Sequence, residues 1–155
     1  MARYNKKAKR KVARYILNPQ EGKQPKIRSE PPSDADVRFL WRVNDRYIDY
    51  DFAELGWCHC DSVTLLKDVI KELQSHEGLT WQQVREKSEH NHPWKFGQLP
   101  RKLRDRLTER QLDYLPELYQ ICLASEPRIW GFKDIATYFL IWYDPQHKGY
   151  KTKVR

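Results

Sequence analysis

The stretch that decides the fold is Ile135-Ala136-Thr137-Tyr138-Phe139-Leu140-Ile141-Trp142-Tyr143. Successive side chains of a β-strand face opposite sides of the sheet, so a strand that is apolar at every position must be covered on both faces. Two shorter runs of strand-forming residues precede it, at 118–124 and 127–133, separated by short polar breaks. The three runs predict a C-terminal antiparallel β-meander, with the last run as a buried central strand.

Upstream of the meander, two further runs predict an N-terminal pair of strands. Residues 37–43 are rich in strand formers, and residues 47–52 alternate apolar and acidic side chains after a polar turn at 44–46. This alternation predicts one wet face, on which Asp49 and Asp51 are solvated carboxylates.

Helical signals fill the middle of the chain and predict three to four helices. Asp61 or Ser62 caps an apolar-striped helix that Gly78 ends, and Thr80-Trp81-Gln82-Gln83 is a capping box. Pro100 opens a third helix. This helix has two inward-facing leucines and an outer basic face, Leu103 and Leu107 against Arg101, Lys102, Arg104 and Arg106. A second capping box, Thr108-Glu109-Arg110-Gln111, predicts a short helix before Pro116. The fold class is therefore α+β.

The net charge of +8 lies in an N-terminal arm. Residues 1–30 hold ten Lys and Arg against two Glu, whereas residues 31–155 hold 19 basic and 19 acidic residues. Basic residues flanked by tyrosines can pair with phosphates and stack on bases, which predicts contacts with RNA or other nucleic acid. The contact residues of the arm would be Arg3, Lys6, Lys7, Lys9, Arg10, Lys11 and Arg14. A solubilising tail is the alternative.

Residues 1–33 are predicted to be a basic arm and Pro-rich linker that is disordered alone, and residues 34–155 a single domain. No apolar run approaches the roughly 18 residues that a membrane span requires. Three cysteines do not imply a disulfide framework, and we therefore expect a cytoplasmic protein without a membrane partner.

Three histidines and one arginine are the candidate catalytic groups. His90 and His92 lie in a predicted loop, His147 follows the central strand, and Arg128 begins the neighbouring one. Metal-independent RNA cleavage needs a base for the 2′-OH, an acid for the leaving oxygen and a cation over the phosphate. We predict His92 and His147 as the acid/base pair, His90 as substitute, and Arg128 as the phosphate contact. Ordinary surface histidines are the alternative.

Further basic residues of the domain are predicted to contact nucleic acid, namely Lys95, Arg101, Arg104 and Lys148. No metal site or cofactor is expected. Cys58-His59-Cys60 is too tightly spaced for a zinc corner and has no second ligand pair, and no Gly-rich phosphate loop is present.

The C-terminal sequence carries a resemblance. Arg128-Ile129-Trp130-Gly131, followed by Trp142-Tyr143-Asp144-Pro145-Gln146-His147, resembles small bacterial and phage proteins of unassigned function that end in Arg-x-Trp-Gly…Trp-x-Asp-Pro-x-His. Those proteins also have a His-containing loop upstream, matched here by 90–94, and the likeness covers roughly residues 37–150. The order of helices before a C-terminal sheet is similar to RelE-type RNA-cleaving toxins, at the level of the fold alone.

Three functions follow from these patterns. The first is an RNA-binding, metal-independent endoribonuclease of the toxin or phage-defence type. The second is a non-catalytic nucleic-acid or ribonucleoprotein-binding module. The third is an accessory or inhibitor subunit that binds a protein partner, such as an antitoxin or a larger nucleoprotein complex.

Overall fold

A computed structural model describes residues 32–123 and 126–149 of the chain. These residues form an α+β domain built on a mixed five-stranded sheet in the order β1-β5-β4-β3-β2. The strands are β1 (Leu40–Arg42), β2 (His92–Lys95), β3 (Glu117–Cys122), β4 (Arg128–Asp134) and β5 (Thr137–Asp144). The predicted C-terminal meander is confirmed, because β3, β4 and β5 pair antiparallel in sequence order.

Strand β5 is an interior strand that is covered on both faces, as its composition requires. Tyr138 and Leu140 enter one core, together with Trp81, while Ile141 and Trp142 enter the other. Trp130 is opposite Trp142 whereas Gly131 is opposite Leu140, so Ile141 is the extra residue of a bulge.

Gly131 is required at this bulge by close packing. A Cβ at this position would lie 2.2 Å from the Phe139 carbonyl oxygen and 2.7 Å from Tyr138 Cζ, closer than any side chain can approach. The hydroxyl of Tyr138 donates to the carbonyls of Tyr119 and Ile129, so the tyrosine cannot move away without losing both bonds.

Three helices form in the described residues. The first helix, residues 62–76, is continuous and consists of α1 (Ser62–Thr64), a π-helical segment (Leu65–Ile70) and α2 (Lys71–His76). The second helix is α3 (Trp81–Lys87), and the third is α4 (Arg101–Glu109). Asp61 caps the first helix and the Thr80/Gln83 capping box opens α3, both as predicted. The first two helices cover one face of the sheet, and α4 covers the other through Leu103 and Leu107. None of the helices in the described part of the chain is long and apolar enough to cross a membrane.

The predicted second N-terminal strand, residues 47–52, is wrong. This segment consists of turns and bends, and β1 pairs instead with β5 in parallel. The reason is Asp49, which is fully buried rather than on a wet face. Arg106 donates to both carboxylate oxygens, at 2.7 and 2.8 Å, and Trp142 Nε1 donates at 2.9 Å. The prediction that Arg106 lies on the outer face of α4 is therefore also wrong.

Three other local predictions differ from the structure. The predicted loop at 90–98 contains edge strand β2, in which Pro93 is tolerated because the strand has one unpaired edge. The second capping box does not form, since Thr108 Oγ1 donates back to the Arg104 carbonyl inside α4, and Gln111 adopts a left-handed φ of 57° after the helix. Ile135 is not in a strand but at the first position of a two-residue hairpin turn.

Candidate functional site

The registers of the sheet bring the candidate catalytic groups to one end of it. Gln120 of β3 lies opposite His92 on one side and Trp130 on the other. Two rows nearer the end of the sheet, Arg128 lies between Cys122 and Asp144. The strand pairing therefore places His92 and Arg128 near the same end of the sheet, and His147 follows the end of β5 there.

His90 is held at this end by its neighbour Asn91. The buried Asn91 side chain accepts from the Cys122 backbone N–H at 2.7 Å and donates to the Val84 carbonyl at 2.8 Å. These two bonds tie the start of β2 to β3 and α3, and they leave the His90 ring half exposed, with its Nε2 3.6 Å from Glu89 Oε1.

His147 is fixed in the turn that follows β5. The carboxylate of Asp144 accepts from the backbone N–H groups of Lys148 and Gly149, each at 2.8 Å, and this bends the chain back over the sheet. His147 adopts a left-handed φ of 49° within that turn. A left-handed φ is uncommon outside glycine, although histidine, asparagine and aspartate adopt it more often than other residues, and such positions also occur at functional sites.

The charges around His147 define the cluster. Burial lowers the pKa of His147, and the Arg128 guanidinium and the His90 ring lower it further, while Asp144 and Glu126 oppose them. His90, Arg128 and His147 are therefore electrostatic neighbours, and His147 is mainly neutral at pH 7.

Arg128 lies beneath the cluster rather than at its surface. Arg128 is 3% exposed, and its Nη1 donates to the carbonyls of Glu126 at 2.8 Å and Pro127 at 3.0 Å. The guanidinium thus supplies a buried positive charge and organises the turn before β4.

His92 has a different environment from the one predicted. Its ring packs against Trp94 with 4.6 Å between centroids, and Trp94 Nε1 donates to Gln120 Oε1 at 3.2 Å. The charge of His90 lowers the pKa of His147, which makes His90, the predicted substitute, a candidate partner for His147.

Residues 145–149, the tail that follows β5, return over the face of the sheet that α4 covers. A Cβ on Gly149 would lie 3.1 Å from Trp130 Nε1, which is buried and has no hydrogen-bond partner within the described residues. A small cavity of about 60 Å³ between the tail and the start of α4 is lined by Lys148, Lys102 and Glu54, among others. Lys148 and Lys102 both lower the pKa of Glu54, the latter through a direct hydrogen bond.

The other predicted nucleic-acid contacts are dispersed. Arg101 is exposed and 3.5 Å from Asp105, Arg104 is partly buried, and Lys95 is exposed at the far end of β2. The arm residues Arg3, Lys6, Lys7, Lys9, Arg10, Lys11 and Arg14 lie outside the described residues.

Asp144 and Asn91 are the residues that sequence reasoning missed. Neither is among the candidate site residues that the sequence predicts. The available signal was position, since Asn91 lies between two candidate histidines, Asp144 lies three residues before the third, and both side chains can bond to the backbone.

Within residues 32–123 and 126–149, no three His, Cys, Asp or Glu side chains cluster as a metal site would require. Comparison of the chain with models of protein families, with curated proteins and with solved structures found no match.

Proposed function

We propose that the protein binds single-stranded RNA and cleaves it without a metal ion, with His90 and His147 as the acid/base pair. The feature that supports this proposal is the end of the sheet at which Arg128 lies opposite Asp144, three residues before His147, and at which the charges of Arg128 and His90 lower the pKa of His147. Two imidazoles beside a fixed cation supply the groups that transphosphorylation needs near neutral pH.

In the proposed reaction, neutral His147 removes the proton of a ribose 2′-OH as that oxygen attacks the adjacent phosphorus. Protonated His90 donates a proton to the 5′-oxygen as its bond to phosphorus breaks. The products are a 2′,3′-cyclic phosphate and a free 5′-OH, and the two histidines exchange protonation states. The lowered pKa of His147 supports its role as the base, and Glu89 beside His90 offers an imidazolium an ionic partner.

Arg128 has an indirect part in this proposal. Because it is buried and bonded to backbone carbonyls, it stabilises charge on the phosphorane from below rather than by gripping a phosphate oxygen. Exposed lysines beside the cluster, Lys148 and Lys102, would contact flanking phosphates.

The same burial of Arg128 favours a second candidate function, a non-catalytic nucleic-acid-binding module. In that case Lys148 and the basic arm bind the phosphates, and the histidines only shape the turn that holds Lys148.

The test is incubation of the full-length protein with labelled single-stranded RNA in EDTA, with binding and cleavage followed on one gel. The decisive variant is His147→Asn, because asparagine tolerates the left-handed φ but cannot act as the base. We expect cleavage to fall at least about 100-fold and binding to stay within about threefold. His90→Ala should behave alike, and Gln146→Ala, an exposed neighbour, should match the wild type.

The pH profile provides a second readout. Because the pKa of His147 lies below the ordinary value of about 6.5, the rising limb of the rate should have its midpoint below pH 6.5. Cleavage that survives His147→Asn removes this histidine from the mechanism. Binding with no cleavage by the wild type rejects the nuclease and leaves the binding module.

A further inference from the structure

An apolar groove lies on the face of the sheet opposite the histidine cluster. It has a volume of about 380 Å³ and lies between the edge strand β1, the loop after it and the first helix. Its walls include Trp41, Val43, Ile48, Tyr50, Val69 and Leu140. This volume is in the range of natural binding sites, and it is large enough for several bulky side chains.

The apolar surface continues beyond the groove itself. Two of the residues that line it, Val43 and Tyr50, are 61% and 60% exposed. On the first helix, Val63 and Leu66 are also well exposed. A small molecule could fill the groove but would leave these side chains in water, whereas a polypeptide would cover both, so the surface favours a protein partner.

The groove has an acidic surrounding. Of the eight acidic residues within 40–77, Asp61, Asp68 and Glu77 adjoin residues that line the groove, whereas Asp49 and Glu54 pair with basic residues of α4. Glu77 Oε1 accepts from the indole N–H of the wall residue Trp41 at 2.7 Å. Burial raises the pKa of the wall residue Cys60, and the nearby charges of Asp61 and Asp68 raise it further. A second copy of the chain would bring like charges together, so a cationic partner is favoured.

The first helix, which forms one wall of the groove, departs from α-helical geometry where it lines the groove. Its π-helical segment, Leu65–Ile70, contains the groove residues Leu65, Val69 and Ile70. Single π turns inside α-helices are rare and occur frequently at functional sites. Here the wider turn lies where the helix and the edge of the sheet leave a groove between them.

We propose that this groove binds a cationic amphipathic helix of another protein. The apolar side chains of that helix would enter between β1 and the first helix of the domain, and its Lys and Arg side chains would face Asp61, Asp68 and Glu77. This is the helix-in-groove mode of recognition, with charge setting the choice of partner. The proposed site is independent of the histidine cluster.

The experiment uses two labelled synthetic helices of about 18 residues, long enough to fold. Both have one leucine face, and the polar face is lysine in one and glutamate in the other. Fluorescence anisotropy with the full-length protein should show saturable binding of the lysine helix and at least about tenfold weaker binding of the glutamate helix.

Two arginine substitutions on β1 and its extension locate the binding. Val43→Arg puts a bulky cation at the groove and should weaken the lysine helix about tenfold or more. The matched control is Leu40→Arg, since Leu40 is 53% exposed on the same segment but does not line the groove. This variant should bind within about twofold of the wild type, and thermal melting should show that both variants are folded.

The outcomes that overturn the proposal are distinct. Equal weakening by both arginines, or none by either, would place the lysine helix outside the groove. Preference for the glutamate helix would reverse the sign of the partner, and no saturable binding would reject the helix. If Val43→Arg weakened the binding of a small apolar dye while the lysine helix did not bind at all, the groove would be a small-molecule site.

Discussion

Two aspartates are completely buried, and each is satisfied in a different way. Asp144 accepts backbone N–H groups from the two residues that carry the tail back over the sheet. Asp49 accepts hydrogen bonds from the side chains of Arg106 and Trp142, and its Oδ1 is also 3.6 Å from Arg110 Nη1. The first aspartate thus fixes the position of His147, and the second joins α4 to β5 and the loop after β1.

Asp49 provides a prediction about stability. Asp49→Asn keeps the shape but removes the charge that two arginines face, so we expect the free energy of unfolding to fall by about 3 kcal/mol at pH 7. Arg106 is partly exposed, which keeps the loss at the lower end of the range for broken buried pairs. Urea denaturation measures it, with Asp51→Asn as an exposed control expected to change stability by less than about 0.5 kcal/mol.

The pH dependence has a definite sign. Burial would raise the pKa of Asp49, but hydrogen bonds from Arg106 and Trp142, and the charges of Arg106 and Arg110, hold it below its ordinary value. Its stabilising effect is therefore complete above the ordinary carboxyl pKa of about 3.9 and is lost as the pH falls through the lower, folded value. The gap between wild type and Asp49→Asn should narrow below pH 4. Equal stability at pH 7 would show that the buried pair contributes nothing.

At the scale of elements, the sequence predicts structures that depend on neighbouring residues, but not those that depend on contacts between distant parts of the chain. The Thr80/Gln83 capping box is complete within four residues, and so the sequence alone predicts α3. The alternation at 47–52 is also local, but Arg106, which binds the buried Asp49, is 57 positions away. The periodicity of residues 47–52 therefore cannot indicate this contact. Likewise, the parallel pairing of β1 with β5 depends on chain segments almost 100 residues apart. The sequence names both His90 and His92 as candidates, and only the register of β2 with β3 shows that His92 belongs to an edge strand.

The β4–β5 hairpin contains a residue that is poorly suited to its position. Asp134 pairs with Thr137, so Ile135 and Ala136 form a two-residue turn, and Ile135 has a φ of 52°. A positive φ at the first position alone is the pattern of a type II′ turn, which favours glycine there. A β-branched residue is the least tolerant of this conformation.

Ile135→Gly should therefore stabilise the domain by roughly 0.5–1 kcal/mol, measured by urea denaturation, because the strain in the folded turn exceeds the entropy that glycine gains when unfolded. Ile135 is well exposed, so little packing is lost. Ile135→Ala is the control, since it removes the side chain but keeps a Cβ at the same φ. If alanine stabilised as much as glycine, the cause would be the exposed isoleucine side chain rather than the backbone.

On the scale of the whole molecule, the two faces of the sheet carry different surfaces. The face covered by α4 has Arg128 of the histidine cluster and, beside α4, Lys148, and the face covered by the first two helices has the apolar groove with its acidic surrounding. Between residues 31 and 155 the charges balance, so any strong general attraction to nucleic acid must come from residues 1–30 or from local basic patches.

Deletion of residues 1–17 separates these two sources. The segment contains seven basic residues, and each phosphate neutralised on a single strand contributes about −0.7 to the slope of log affinity against log salt. If all seven bind phosphates, the deletion should reduce the slope by about 5 and abolish measurable affinity at physiological salt. Fluorescence titration of labelled single-stranded RNA at several salt concentrations measures both quantities.

Replacing Tyr4 and Tyr15 by alanine in the full-length chain is the matched control, because it keeps every charge of the arm. The salt slope should then be unchanged, while affinity falls by the loss of base stacking, about 1–3 kcal/mol for each base that was stacked. A truncated protein that bound RNA with the wild-type affinity and slope would contradict the arm hypothesis. Binding would then have to lie on the folded domain, where Lys148 and the start of α4 are the first residues to change, and the same RNA would still report cleavage at the histidine cluster.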